Sequence, residues 1–158
     1  MYNPDPVYDS AAAYVGLPDP VAQPEFYAGV TMKRFLAWVV DSVMILIFCV
    51  LALILTLGIG FFFLPALMLA VGLVYRSATL ARGSATWGMA LMAIELRRHD
   101  GTRLDSMTAV IHTLCYSASM AFAIPQVISV LLMLVGGRGQ GLTDVVLGTA
   151  AINRRAIL

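Results

Sequence analysis

The feature that most constrains this chain is the stretch from Phe35 to Leu57, 23 residues that hold one charged side chain, Asp41, and are otherwise almost wholly apolar. About 20 such residues suffice for a helix to cross the hydrocarbon core of a bilayer, so the stretch predicts a transmembrane helix headed by Lys33 and Arg34. Arg34 and Asp41 are seven residues apart. On a helix they fall within about 20° of one face, with Asp41 roughly 10 Å further along the axis. That depth is about a third of the hydrocarbon core. A carboxylate there carries less than the roughly 2.5–3.5 kcal/mol insertion penalty of the midplane, yet still demands a partner, a proton or a water-filled pocket.

Composition narrows the class further. Of 158 residues, 60% are hydrophobic and 12% charged, against about 25% charged in soluble domains. The net charge of +1 says little about partners, and no nucleic acid is expected among them, but its distribution is uneven: all ten Lys and Arg follow position 32, whereas Asp5, Asp9, Asp19 and Glu25 precede it. Cys49 and Cys115 lie inside apolar segments, where cysteine acts as a small hydrophobe, and imply no disulfide framework. Residues 1–28 hold five of the seven prolines and no Lys or Arg. They lack the basic start and apolar core of a signal peptide and predict a disordered, acidic, solvated tail. A docking motif for a soluble partner is the other reading of the repeated Pro-Asp-Pro-Val at Pro4–Val7 and Pro18–Val21.

After the first helix, Gly58, Gly60 and Pro65 punctuate an uncharged turn, and Leu64–Leu80 predicts a second crossing with Tyr75 and Arg76 at its interfacial end. The following connection carries Arg76, Arg82, Arg97, Arg98 and Arg103. The positive-inside rule therefore assigns it, Lys33, Arg34 and the amino terminus to the cytoplasm. Within it, Thr86–Met92 suits a short interfacial helix. Ile94–Arg97 alternates like a strand and Asp100-Gly101 reads as a tight turn. Asp105 or Ser106 suits the cap of the next helix.

Residues 106–135 admit two readings. One 30-residue helix would cross once and deliver Arg138, Arg154 and Arg155 to the far side. Two shorter helices broken near Pro125, which removes an amide donor, would return and keep every cation on one side. The return accords with the positive-inside rule. Beyond it, Gly136–Gly141 reads as a flexible link, and Thr149–Asn153 as a second short strand able to pair with Ile94–Arg97. The fold expected is thus an all-α integral membrane protein. It is a small bundle of three to four transmembrane or re-entrant helices, about 34–57, 64–80, 106–122 and 126–136, with a cytoplasmic interfacial segment and one two-stranded β pairing. The membrane domain spans 29–155, and 156–158 are a terminal tail.

The motifs along this frame resemble the RDD family of small prokaryotic membrane proteins, named for one arginine and two aspartates. Arg34 and Asp41 match the family's first helix, Gly83-Ser-Ala-Thr86-Trp-Gly88 its middle motif and Asp100-Gly101 its turn. Gln140-Gly141-Leu142-Thr143-Asp144 and Gly148-Thr149 match its carboxyl-terminal motifs. The likeness covers about residues 28–154. Met89 stands where a basic residue often follows the middle motif, and His112 where the third helix commonly has an arginine. The resemblance implies a multi-pass protein of the plasma (inner) membrane; transport, and for some members cation–proton exchange, are the activities associated with it.

The polar residues set the functional expectations. Arg34, Asp41 and Asp144 form the principal candidate cluster, with Arg76, Arg82, Thr86, Gly88, His112, Gln140 and Thr149 in support. For Asp41, structural pairing competes with proton or cation handling; its candidate partners are Arg34, at a stretch, Arg76, Arg82 and the Gln140–Asp144 loop. Asp144 reads as a cap or loop tie. His112 shares a face with Thr108, Cys115 and Ser119 and suits a helix–helix hydrogen bond. Two histidines are too few for a metal site, no cofactor motif or nucleophile–base arrangement stands out, and no enzyme is expected. A structural or accessory component, oligomeric or within a larger membrane complex, is the first reading; an oligomeric exchanger using Asp41 is the alternative.

Overall fold

A computed structural model describes residues 16–154. Its helices are α1 (Val30–Leu55), α2 (Leu64–Gly83), α3 (Trp87–Leu91), α4 (Ser106–Ala121), α5 (Ala123–Val135) and α6 (Leu142–Leu147). Its strands are β1 (Ile94–Arg98) and β2 (Thr149–Asn153). With the 3₁₀ turns that precede them, α1 and α2 are long and apolar enough to cross a membrane, with mean hydropathies of 2.7 and 1.9. Their most apolar windows are only 17% and 6% buried, so Leu46, Leu51, Leu69 and Val74 face outward. A soluble protein does not leave a continuous apolar belt of this kind uncovered.

The expected break before Pro125 is present, placed at Phe122. This residue is extended (φ −125°, ψ 132°) and separates α4 from α5, which meet at 113°. Pro125 sits in the first turn of α5, where its missing N–H has no helical acceptor to lose. Both feet of this bent pair stand where α1 begins. Leu104 N–H donates to Ser84 Oγ (2.7 Å), at the end of α2, and the Met133 carbonyl accepts the Thr31 hydroxyl (3.1 Å). The two ends of the bent pair thus lie at the same end of the molecule.

At the same end β1 and β2 pair antiparallel, Ile94 opposite Asn153 through Arg98 opposite Thr149. Asp100-Gly101 makes the expected turn, with Gly101 at φ +80°. Ile94, Leu96 and Ala151 bury one sheet face against Val30, Leu80, Leu104 and Ala109. The tail reading needs correction here. Residues 16–28 are not a solvated linker: Leu17, Phe26 and Tyr27 pack on Ala150 and Ile152. Leu17 N–H also bonds the His99 carbonyl (3.1 Å), and Tyr27 O–H the Pro18 carbonyl (2.8 Å). Apolar side chains between the prolines supply the anchor that a proline count does not reveal. Residues 1–15 of the expected tail, and 155–158, lie outside the described residues.

The expected link after Gly136 leads into a helix that the residue pattern does not announce. Its glycines end at Gly141, and Leu142–Leu147 is helical, with Asp144 in its first turn accepting from Gly141 N–H (3.0 Å). The side chain of an acid at this position meets an otherwise free amide.

Close approach of α3 to α1 rests on one residue. A Cβ on Gly88 would sit 2.3 Å from the Ala37 carbonyl oxygen and 2.8 Å from Asp41 Oδ1. Gly88→Ala should therefore lower stability by about 1–3 kcal/mol of overpacking, read as a fall in thermal midpoint in detergent. Gly58→Ala, which meets nothing within 4 Å but holds φ +84°, should cost only the left-handed backbone penalty of about 1–2 kcal/mol. Equal midpoints for Gly88→Ala and wild type would show that α3 can shift away from α1.

Candidate functional site: two buried carboxylates beside one cavity

The two aspartates of the candidate cluster form separate centres. Asp41, three turns into α1, is 2% exposed. Its Oδ1 accepts from Tyr75 O–H (2.7 Å) and Gly88 N–H (2.9 Å), and its Oδ2 from Thr86 O–H (2.6 Å). Arg76 stands 3.9 Å from Oδ2, an ion pair beyond hydrogen-bond length. The middle motif follows from this geometry: Thr86 caps α3 while donating to Asp41, and Gly88 has no side chain to keep its amide from the carboxylate. Tyr75 also stacks edge-on against Trp87, at 5.5 Å between centroids, which fixes the direction of its hydroxyl.

Asp144 is fully buried. Its Oδ2 takes Arg34 Nη2 (2.6 Å) and Gly141 N–H (3.0 Å); its Oδ1 takes His112 Nε2 (2.9 Å) and Thr149 O–H (3.2 Å). Next to an ionised carboxylate, Nε2 carries the imidazole proton. Gly148, at φ +62°, ends α6 and turns the chain so that Thr149 folds back onto Asp144. Gln140 Nε2 donates to the Thr149 carbonyl (2.6 Å), and Leu142 N–H donates to Ser129 Oγ (3.0 Å). The carboxyl-terminal motif thus closes a loop around one acid, and that acid ties together α1, α4, α6 and β2.

Arg34 and Asp41, close on a helical wheel, do not meet: Arg34 turns to Asp144 instead. Seven residues set them about 10 Å apart along the axis, and α6 brings a second carboxylate to Arg34 at hydrogen-bond distance. Arg82, another sequence candidate, is exposed and outside both centres. Thr86, Gly88, His112, Gln140 and Thr149 are all within them, and Arg76 is at the edge.

Three residues were not anticipated. Tyr75 was read only as an interfacial marker, and it lies 34 positions from Asp41. Ser129 carries no local signal. Glu95, 4% exposed, is met by Arg97, by Arg154 at 3.4 Å and by Arg103 at 3.7 Å. The strand alternation that puts Glu95 and Arg97 on one face is the one part of that third cluster the sequence displays.

Asp41 and Arg34 border a common cavity of about 600 Å³ between α1, α2, α4 and α5. Its wall is mostly apolar and includes Phe35, Trp38, Val130 and Met133, with Arg76, His112, Tyr116 and Gln126 as polar members.

The model of the RDD family matches residues 27–148, which contain both aspartates and every partner described for them except Thr149. The chain belongs to the RDD family. No curated protein and no solved structure matches it. Within this RDD domain, two departures from the family pattern have visible roles. Met89 packs against the core beside Leu80 and Leu96, and His112 supplies a donor to the second aspartate.

Two predictions follow from the pairing. Breaking a buried ion pair by neutralising one side leaves an uncompensated charge, at about 3–5 kcal/mol. In a double-mutant cycle on thermal or denaturant unfolding, Arg34→Gln and Asp144→Asn should couple by more than about 1 kcal/mol, and Arg34→Gln with Asp41→Asn by less than about 0.5 kcal/mol. The reverse ranking would place Arg34 on Asp41. The second prediction concerns pH. Burial alone would raise the Asp144 carboxyl, but Arg34, the His112 contact and the Gly141 amide outweigh it and hold it well below the usual carboxylate range. A folded-state value below the unfolded one stabilises at pH above the unfolded value and is lost as pH falls through the folded one. The wild-type midpoint should therefore drop as pH falls below about 4, and Asp144→Asn should drop less over that interval.

Proposed function

We propose that this RDD-family chain is a small, non-enzymatic, multi-pass component of a prokaryotic plasma membrane, with a structural or accessory role and its amino terminus in the cytoplasm. The observation that carries this reading is that every oxygen of both carboxylates is engaged. Each oxygen of Asp41 and Asp144 already accepts from a hydrogen-bond donor of this chain. A transported cation exchanges hydration water for protein oxygens, and these oxygens are occupied. The same bonds fasten the short helices and the sheet to the long apolar helices, which is what a scaffold requires. Support for the sidedness comes from charge: Lys33, Arg98, Arg103 and Arg154 gather at the sheet end, whereas the turn from Thr56 to Phe63 has none. That end, with the docked segment 16–28, is the surface a membrane complex would engage.

Purified protein in proteoliposomes should show no cation-dependent proton movement above that of empty vesicles. Such movement, abolished by Asp41→Asn, would replace the accessory role with exchange. Single cysteines at Arg138 and Arg154, in a background without Cys49 and Cys115, should react with an impermeant maleimide only from the cytoplasmic face. Labelling of either from outside would overturn the sidedness.

A further inference from the structure

We propose that the cavity between α1, α2, α4 and α5 is a binding site for a single-chain anionic amphiphile of the fatty-acid class, its carboxylate held by Arg34 and Arg76. The sign of the ligand follows from which hydrogen-bonding groups remain uncommitted. The two anionic acceptors beside the cavity are engaged, each oxygen of Asp41 and Asp144 taking a donor of this chain, and the acceptors left in the lining, on Tyr116 and Gln126, are neutral. Donors remain. Arg34 gives Nη2 to Asp144, but its Nη1 is buried and has no hydrogen-bond partner. A guanidinium carries five N–H donors, and a buried one left unmet costs free energy. Arg76 reaches Asp41 only at 3.9 Å and otherwise lies over the Tyr116 ring, 4.6 Å from its centroid. That arrangement orients its planar fork without using its N–H groups. Both arginines line the same space, and a carboxylate is the acceptor whose geometry matches a guanidinium edge.

The rest of the cavity sets the other end of the molecule. About 600 Å³ is within the range of small-ligand pockets, roughly 300–1,000 Å³. Away from the two arginines its wall is Phe35, Trp38, Val130 and Leu134, and each is at least 40% exposed. These side chains belong to α1 and α5, on whose outer faces further apolar residues continue. An acyl chain anchored at the arginines would run along this wall and exchange with the surrounding lipid. Free inorganic anions would satisfy the donors but leave the apolar wall uncovered, and an uncharged chain would do the opposite.

Trp38 reports occupancy directly. In discs of phosphatidylcholine, with Trp87→Phe as the background, ω-brominated dodecanoate should quench Trp38 fluorescence saturably, at about tenfold lower concentration than ω-brominated dodecanol. Arg76→Gln should abolish the preference for the carboxylate and Arg76→Lys should retain part of it. Val130→Phe narrows the cavity without touching a charge, and should weaken the quenching by both probes. Equal quenching by acid and alcohol, or no saturable phase, would overturn the site. Discs containing phosphatidylglycerol test the other source of an anionic head. Unchanged affinity for dodecanoate supports a single-chain ligand, whereas loss of the saturable phase would assign the cavity to the phospholipid and overturn the fatty-acid class.

Discussion

Taking a carboxylate out of water is tolerable only when its oxygens are met by donors, and the architecture of this protein is arranged around bringing seven donors to two aspartates. Asp144 is the more demanding case, because it has no exposure at all. It draws a guanidinium from α1, an imidazole from α4, a hydroxyl from β2 and an amide from its own helix. None of these elements holds its place by an apolar seam alone. The short α6 and the edge of the sheet would otherwise be loosely attached pieces at the bundle end, and the ion pair gives them one orientation.

Asp41 serves the same purpose for the segment between α2 and β1. Its depth in α1 forces α3 to approach the helix closely, and Gly88 permits the approach. Tyr75 completes the site from α2, so that two long helices with outward-facing apolar belts are joined by polar bonds rather than by the hydrophobic effect. This is the economy of a membrane interior, where apolar contacts between helices compete with equally apolar lipid and hydrogen bonds supply selectivity. The uncommitted donors of Arg34 and Arg76 are cationic and border the cavity, and they are what distinguishes it from a packing gap.

Much of the frame was legible in the residues. The apolar runs placed α1 and α2 within a few positions, Asp105 marked the start of α4, and Pro125 announced a break that falls at Phe122. Alternation marked Ile94–Arg97 as a strand, and Thr149–Asn153, read as a second short strand, is its partner. The docked segment was misjudged and the helix α6 unforeseen for a common reason. Proline and glycine content advertises freedom of the backbone, whereas docking of Phe26 and Tyr27, and the folding of Leu142–Leu147, depend on surfaces contributed by distant parts of the chain.

The division between sequence and tertiary structure is therefore a division between local and long-range energetics. Hydropathy, charge asymmetry and turn chemistry act over one helix or one turn, so the chain by itself determined two helices long and apolar enough to cross a membrane, their bounds to within a few residues, and that Arg34, Asp41 and Asp144 need partners. Which partner each received was decided only by the fold. Arg34 passes over the aspartate seven residues away for one 110 positions distant, because the returning pair α4 and α5 leads the chain to α6 and sets a fully desolvated carboxylate against that guanidinium. Asp41 is left to Tyr75, Thr86 and Gly88, donors that no spacing rule connects to it.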